Sequence, residues 1–190
     1  MDKLQYLFLG YNERETRLIN FLKEKKIQVK NLDGNVSFKD AQQADLIISF
    51  GYKKLLKKEI ISKLRRPAIN LHMSLLPYNR GSHPNFWSFL NRTPKGITIH
   101  EVDCGADTGN IIFQKEFDLD PNFEKYSTFK KTYDFLFLEL ENLFIDHFDK
   151  IVAQNYNSKK QEKVLPLKKD SDLPSNIDNW DIDILKYLNK

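Results

Sequence analysis

The run Asp45-Leu46-Ile47-Ile48-Ser49-Phe50 constrains this chain most. Leucine and β-branched residues without polar alternation are what a strand covered on both faces requires. Its neighbours fit a layered α/β arrangement. Leu4 to Leu9 reads as a strand ending at Gly10, and Leu18, Ile19, Phe21 and Leu22 recur at helical spacing up to the lysine-rich Lys23–Lys26. Ile27 to Leu32 reads as a second strand, closed by Asp33-Gly34-Asn35. After the central run, Lys54 to Leu64 reads as a helix and Pro67-Ala68-Ile69-Asn70-Leu71 as a fourth strand. Strand, helix, strand, helix, strand predicts a doubly wound, Rossmann-like α/β fold with a mostly parallel, twisted sheet.

The second half is less regular. Leu75 to Pro84 reads as a loop, Asn85 to Leu90 as a short aromatic helix, and Gly96 to Val102 as a strand. Asn110 to Phe117 is its neighbour across the turn Gly105–Gly109. Phe129, Tyr133, Leu136, Leu140, Leu143, Phe144, Phe148 and Ile151 mark one face of a long helix over Ser127–Gln154, with Ser127 and Thr128 as candidate N-caps. Residues 1–154 are thus expected to form one domain. Residues 155–190 are expected to be a polar appendage that packs back on it through Ile182, Ile184, Leu185, Tyr187 and Leu188.

Several functional classes are excluded early. No apolar stretch is long enough to cross a bilayer, the N-terminus carries no secretory signal, and the single Cys104 cannot form an internal disulfide, so a reducing cytoplasm is the expected compartment. The net charge of +4 rests on 30 basic residues, only six of them arginine, interleaved with 26 acidic ones. Scattered lysines are usual on a solvated surface, the densest group, Lys53-Lys54 with Lys57-Lys58, could equally attract a phosphorylated small molecule, and charge alone decides nothing. After the first strand, Gly10-Tyr11-Asn12-Glu13-Arg14-Glu15 lacks the glycines that let a backbone approach a pyrophosphate. No Walker-type loop occurs. His72, His83, His100 and His147 fall on different elements without metal-ligand spacing, so no metal is expected.

The chemistry concentrates in two stretches. Asn70 and His72 are two apart on a strand, so they face the same way at its C-terminal end, where open α/β sheets bind ligands. Asp107 lies in a turn bracketed by Gly105 and Gly109. Each motif alone fits a structural role equally well. An amide, an imidazole and a carboxylate converging on one crevice could support acyl transfer to a nucleophile brought by the substrate. Cys104 has no neighbouring base in the sequence and reads as an inert thiol.

The joint pattern Asn70-Leu71-His72-Met73-Ser74-Leu75-Leu76-Pro77 with Ala106-Asp107-Thr108-Gly109 resembles the 10-formyltetrahydrofolate-dependent formyltransferases over residues 1–150. Met73 and Ala106 stand where that family often has proline and leucine. The resemblance implies direct formyl transfer from 10-formyltetrahydrofolate, with Asn70, His72 and Asp107 as catalytic residues and no metal. By that resemblance Asn70 and a protonated His72 would stabilise the oxyanion, and Asp107 would support His72 and move a proton. It also places the folate against Phe50, Gly51, Tyr52, Lys53 and Leu55, and against Val102, Asp103, Gly105 and Asp107.

Among acceptors, the loop after the first strand lacks the phosphate-binding pattern of glycinamide ribonucleotide formyltransferases. Few residues follow Gln154 for the tRNA-binding domain of methionyl-tRNA formyltransferases, and the chain opens directly on the first strand, unlike formyltetrahydrofolate hydrolases. The stretch Pro77 to Phe89 is similar to nucleotide-sugar N-formyltransferases of surface-polysaccharide, including lipopolysaccharide O-antigen, biosynthesis. The expected substrate is a nucleotide-linked amino sugar, with Ser74, Tyr78, Arg80, His83 and Trp87 as acceptor-binding candidates. Arg80 suits a diphosphate and Tyr78 or Trp87 a base or sugar face. No membrane or nucleic-acid partner is expected, and the oligomeric state stays open, a homodimer included. A glycinamide ribonucleotide or methionyl-tRNA formyltransferase, or a catalytically idle folate-binding module, remain the alternatives.

Overall fold

The computed structural model describes residues 4–177 and 179–189. Six strands, β1 (Gln5–Gly10), β2 (Gln28–Leu32), β3 (Leu46–Phe50), β4 (Ile69–His72), β5 (Lys95–Glu101) and β6 (Ile111–Phe117), form one sheet in the order β2-β1-β3-β4-β5-β6. β1 to β4 are parallel, and β5 runs against both β4 and β6. The sheet is α/β and mostly parallel, as the sequence predicts.

Alternate residues of the central strands feed two cores. Tyr6, Phe8, Leu46, Ile48, Phe50, Ile69, Leu71, Ile97 and Ile99 pack towards α1 (Leu18–Glu24) and α5 (Phe129–Val152). Leu7, Leu9, Ile47 and Ala68 pack on the opposite face with Ala41 of α2 (Phe38–Gln43) and Ile60 of α3 (Lys58–Ile61). Each large side chain so buried contributes roughly 1.5–3 kcal/mol. Thr128 caps α5 by accepting from Lys131 N at 3.2 Å. The buried carboxylate of Glu141 on α5 accepts from Thr16 Oγ1 at 2.6 Å and Arg17 N at 3.0 Å, and pairs with Arg17 Nε at 3.0 Å. These partners offset the cost of burying its charge and pin the start of α1 to α5.

Two segments differ from the sequence expectation. Of the helix expected over Lys54–Leu64, only α3 forms; residues 51–57 are irregular, and Leu55 is 61% exposed. The apolar spacing reflects Leu56, from the irregular segment, and Ile60, from α3, both reaching the second core. The unexpected α2 is nucleated by a capping box, with Ser37 accepting from Asp40 N and the Asp40 carboxylate accepting from Ser37 N. Hydrogen bonds from Lys30 and then Ser37 pull the Asp40 carboxyl down to about 2.

Residues 155–177 and 179–189 run along the rest of the chain as a strap. Lys159 exchanges two main-chain hydrogen bonds with Ile111, both at 2.8 Å, and Lys168 bridges Gly81. Past a bridge from Asp183 to Thr128, α6 (Ile184–Leu188) buries Ile184 in the larger core. Among the described residues no helix is long and apolar enough to cross a membrane.

Candidate active site

The second face of β4 and β5 is polar. Asn70 and His72 point away from α5, and the antiparallel register sets His100 opposite Asn70 and Thr98 opposite His72. No helix covers these four side chains; the loops after β4 and β5 do. The loop from β5 folds back sharply because Gly109 lies on the main chain of Glu101, where a Cβ would come within 1.8 Å of Glu101 O. That return carries Asp107, at φ +53° in the left-handed region, over Asn70 and His72.

The Asp107 carboxylate is the hub. Its Oδ1 accepts from Asn70 Nδ2 at 3.2 Å and lies 3.5 Å from His100 Nε2. Its Oδ2 accepts from Gly81 N at 2.8 Å and lies 3.8 Å from His72 Nδ1. The ring of His100 is oriented by Nδ1, 2.7 Å from Glu101 O, which leaves Nε2 to accept from Asn70 Nδ2 at 3.0 Å. His72 is fixed the other way round, with Nε2 donating to Asn79 O at 3.2 Å and the Nδ1 lone pair facing the carboxylate.

Burial, the largest influence on Asp107, would raise its pKa, but positive charge on the two imidazoles, when they are protonated, and the Gly81 N–H hold it below the usual carboxylate range. Burial pushes His72 below the usual histidine value; Asp107 opposes this, and His100 and Arg80 add to it. Burial thus favours the neutral imidazole at His72, while the adjoining Asp107 carboxylate favours the protonated one.

The residues expected to hold folate divide into main-chain and side-chain contributors. Phe50 is buried and packs edge-on against Tyr11 at 4.9 Å, so its ring belongs to the core. Gly51 adopts φ +71° directly over Tyr11, whose ring a Cβ would approach to 2.4 Å. The Tyr52 hydroxyl is committed to Gly34 O at 2.8 Å, whereas Lys53 and Leu55 are exposed. The main-chain groups of residues 53–56 make no hydrogen bond to another described residue, which suits them to the polar edge of a heterocycle. Across from them, Val102 N donates to Ala68 O at 2.7 Å. The Asp103 carboxylate accepts from Gly105 N and the Thr108 hydroxyl, so it shapes the turn.

The acceptor-binding candidates differ in how far other parts of the protein engage them. Ser74 is buried and donates to Tyr78 O at 2.7 Å, which makes it a brace of the loop after β4. Arg80 is 6% exposed; its Nε and Nη2 both donate to Ala106 O, and Nη1 donates to Leu165 O. It joins the Asp107 turn to the strap. Trp87, on α4 (Pro84–Leu90), is buried with Lys168 Nζ over its ring at 4.2 Å. Tyr78 and His83 stay half-buried; His83 Nε2 lies 2.9 Å from Asp170 Oδ1 and stacks on Trp180 at 5.1 Å. Cys104 is exposed.

Three contributors had no local signal. His100 reaches the site through strand register, Asn79 through its carbonyl, and Gln161 from the strap, where its Nε2 donates to Asp107 O at 2.9 Å and Gly109 O at 2.8 Å. Among the described residues there is no group of three or more His, Cys, Asp or Glu side chains that could hold a metal ion.

Known proteins are similar to this chain in sequence and in fold. Residues 8–135 match the family described as formyl transferase. A methionyl-tRNA formyltransferase of Clostridium novyi is 33% identical over 121 residues, covering 63% of this chain and 38% of that protein. A dTDP-4-amino-4,6-dideoxyglucose formyltransferase of Mycobacterium bovis is 34% identical over 131 residues, covering 68% of this chain and 53% of that protein. The chain thus spans about half or less of the length of these curated relatives. The crystal structure of the formyltransferase PseJ from Anoxybacillus kamchatkensis, in complex with UDP-4,6-dideoxy-4-formamido-L-AltNAc and tetrahydrofolate, superposes with a TM-score of 0.84 at 34% identity, covering 96% of both chains. With the family's sequence matched over more than half its length and this fold beneath it, the chain belongs to the formyl transferase family.

Proposed function

We propose that this protein transfers the formyl group of 10-formyltetrahydrofolate to the amine of a nucleotide-linked amino sugar, in the cytoplasm and in the service of surface-polysaccharide assembly. The observation that carries the reading is the Asp107 hub, which gathers Asn70, His72 and His100 on the loop-covered face of the sheet. The relative of matching length that holds tetrahydrofolate and a formamido UDP-sugar supports both substrate classes. The free main-chain edge at residues 53–56 fits the donor's pterin.

The donor supplies an electrophilic formyl carbon on N10. The acceptor amine forms a bond to that carbon, the bond to N10 breaks, and one proton passes from the amine to N10. Asn70 presents an N–H to the formyl oxygen as it gathers negative charge, giving up its longer bond to Asp107 at 3.2 Å. His72 enters neutral and takes the amine proton on Nδ1, in the 3.8 Å gap to Asp107, where the carboxylate stabilises the cation formed. His100 holds Asn70 in place from the far side.

The purified protein, incubated with 10-formyltetrahydrofolate and dTDP-, UDP- and GDP-linked amino sugars, is expected to give one formylated sugar by mass spectrometry. An Asp107→Asn variant should give none above background. Product from glycinamide ribonucleotide or charged initiator tRNA, with every sugar silent, would refute the acceptor. Folate binding without any product would indicate the idle binding module.

A further inference from the structure

We propose that Gln161, in the strap beyond the family-matched residues, is a positioning residue that sets the distance between the Asp107 carboxylate and His72. Asp107 sits in left-handed backbone that non-glycine residues adopt reluctantly, so the turn must be held from outside. Three of its outward carbonyls are held. Arg80 takes Ala106 O, and the single amide of Gln161 takes Asp107 O at 2.9 Å and Gly109 O at 2.8 Å. Gln161 is 7% exposed, and its Oε1 has no hydrogen-bond partner among the described residues. An apolar side chain there would bury no orphan acceptor; the amide's fit to this one turn is what the site gains. Arg80 completes the clamp by donating to Leu165 O, while Lys168 N donates to Arg80 O at 2.9 Å. The strap therefore grips both the turn carrying Asp107 and the loop whose Gly81 N–H binds its carboxylate.

The consequence is read at His72, which faces Asp107, His100 and Arg80. Asp107 raises its pKa against burial, so a carboxylate that drifts away lets the imidazole titrate at lower pH. This inference rests on the proposed formyl transfer only for its kinetic arm. Histidine resonances of the full chain, labelled with 15N, would be titrated in wild type, Gln161→Met, which keeps the shape and loses both donors, and Gln161→Asn, which keeps the amide and withdraws it. Both variants should move the His72 titration to lower pH. Their kcat should fall about tenfold or more with KM for the folate nearly unchanged. Asp183→Ala removes the cap of α6 at the far end of the strap and should lower Tm without moving His72. A folded Gln161→Met or Gln161→Asn protein whose His72 titrates as in wild type overturns the proposal, as would an Asp183→Ala variant that shifts His72 equally. If His72 shifts but wild type formylates no acceptor, the positioning role stands and the proposed function falls.

Discussion

β4 and β5 show two different faces to the rest of the molecule. Towards α5 they present Ile69, Leu71, Ile97 and Ile99, each at most 3% exposed. Towards the loops they present Asn70, His72, Thr98 and His100, of which the last three are almost as deeply buried. Depth alone therefore does not separate core from site. The difference lies in the cover: a helix brings apolar side chains and no spare donors, whereas a loop brings main-chain groups that satisfy a buried imidazole or carboxylate. Asn79 O, Gly81 N and Glu101 O do this for the three titratable groups.

Four changes would break or sharpen the contrast. The largest effect on stability should come from Ile99→Ala on the helical face, about 2–5 kcal/mol for a cavity that packed neighbours cannot refill. Denaturant unfolding measures it, and kcat per folded molecule should stay within about twofold. Asp107→Asn on the loop face should do the reverse, lowering kcat by roughly 10²–10³ with little change in Tm. Comparable losses of Tm and kcat in both variants would erase the distinction. Thr98→Val tests the loop face without touching a reacting group. It strands Ser74 O, which the hydroxyl reaches at 2.7 Å, and Leu76 N, which donates to it at 3.1 Å. We expect about 1–3 kcal/mol of destabilisation, seen as a lower denaturation midpoint.

The smallest effect is a pH signature of the loop face. His72 and Asp107 both have folded pKa values below their unfolded ones, so the unfolded chain binds more protons and stability rises with pH. Stability from His72 should begin to fall as pH drops through about 6.5, and that from Asp107 below about 3.9. Ile99→Ala should keep this acid sensitivity, and Asp107→Asn should lose its lower part, which unfolding midpoints across that range would reveal. The acid limb of kcat/KM should likewise lie below the ordinary histidine range.

The same contrast explains what could be read in advance. Local pattern is a property of neighbours in sequence, and it located β3, by an unbroken apolar run that is buried throughout, and α5, whose buried positions recur at helical spacing. It overextended α3, because Leu55, Leu56 and Ile60 have helical spacing yet Leu55 ends in solvent. It passed over α2, which buries only Ala41 and announces itself through Ser37 and Asp40. Within the site, Asn70 and His72 were legible because two residues on one strand share a face. The partners of Arg80 could not be read in advance, because nothing beside it in sequence shows that its guanidinium donates to Ala106 O and Leu165 O. His100 depends on strand pairing across 30 positions and Gln161 on a contact across 54, and neither separation leaves a local trace.

That last separation has a consequence for how the molecule is made. A ribosome delivers Asp107 well before Gln161 and Leu165, so the carboxylate emerges into a turn whose outer carbonyls still face water. The sheet can pair and α5 can dock while this corner waits. The strap thus reaches the site only after the strands that build it have been made, and a nascent chain paused before Gln161 would present Asp107 on a turn whose outer carbonyls are not yet held.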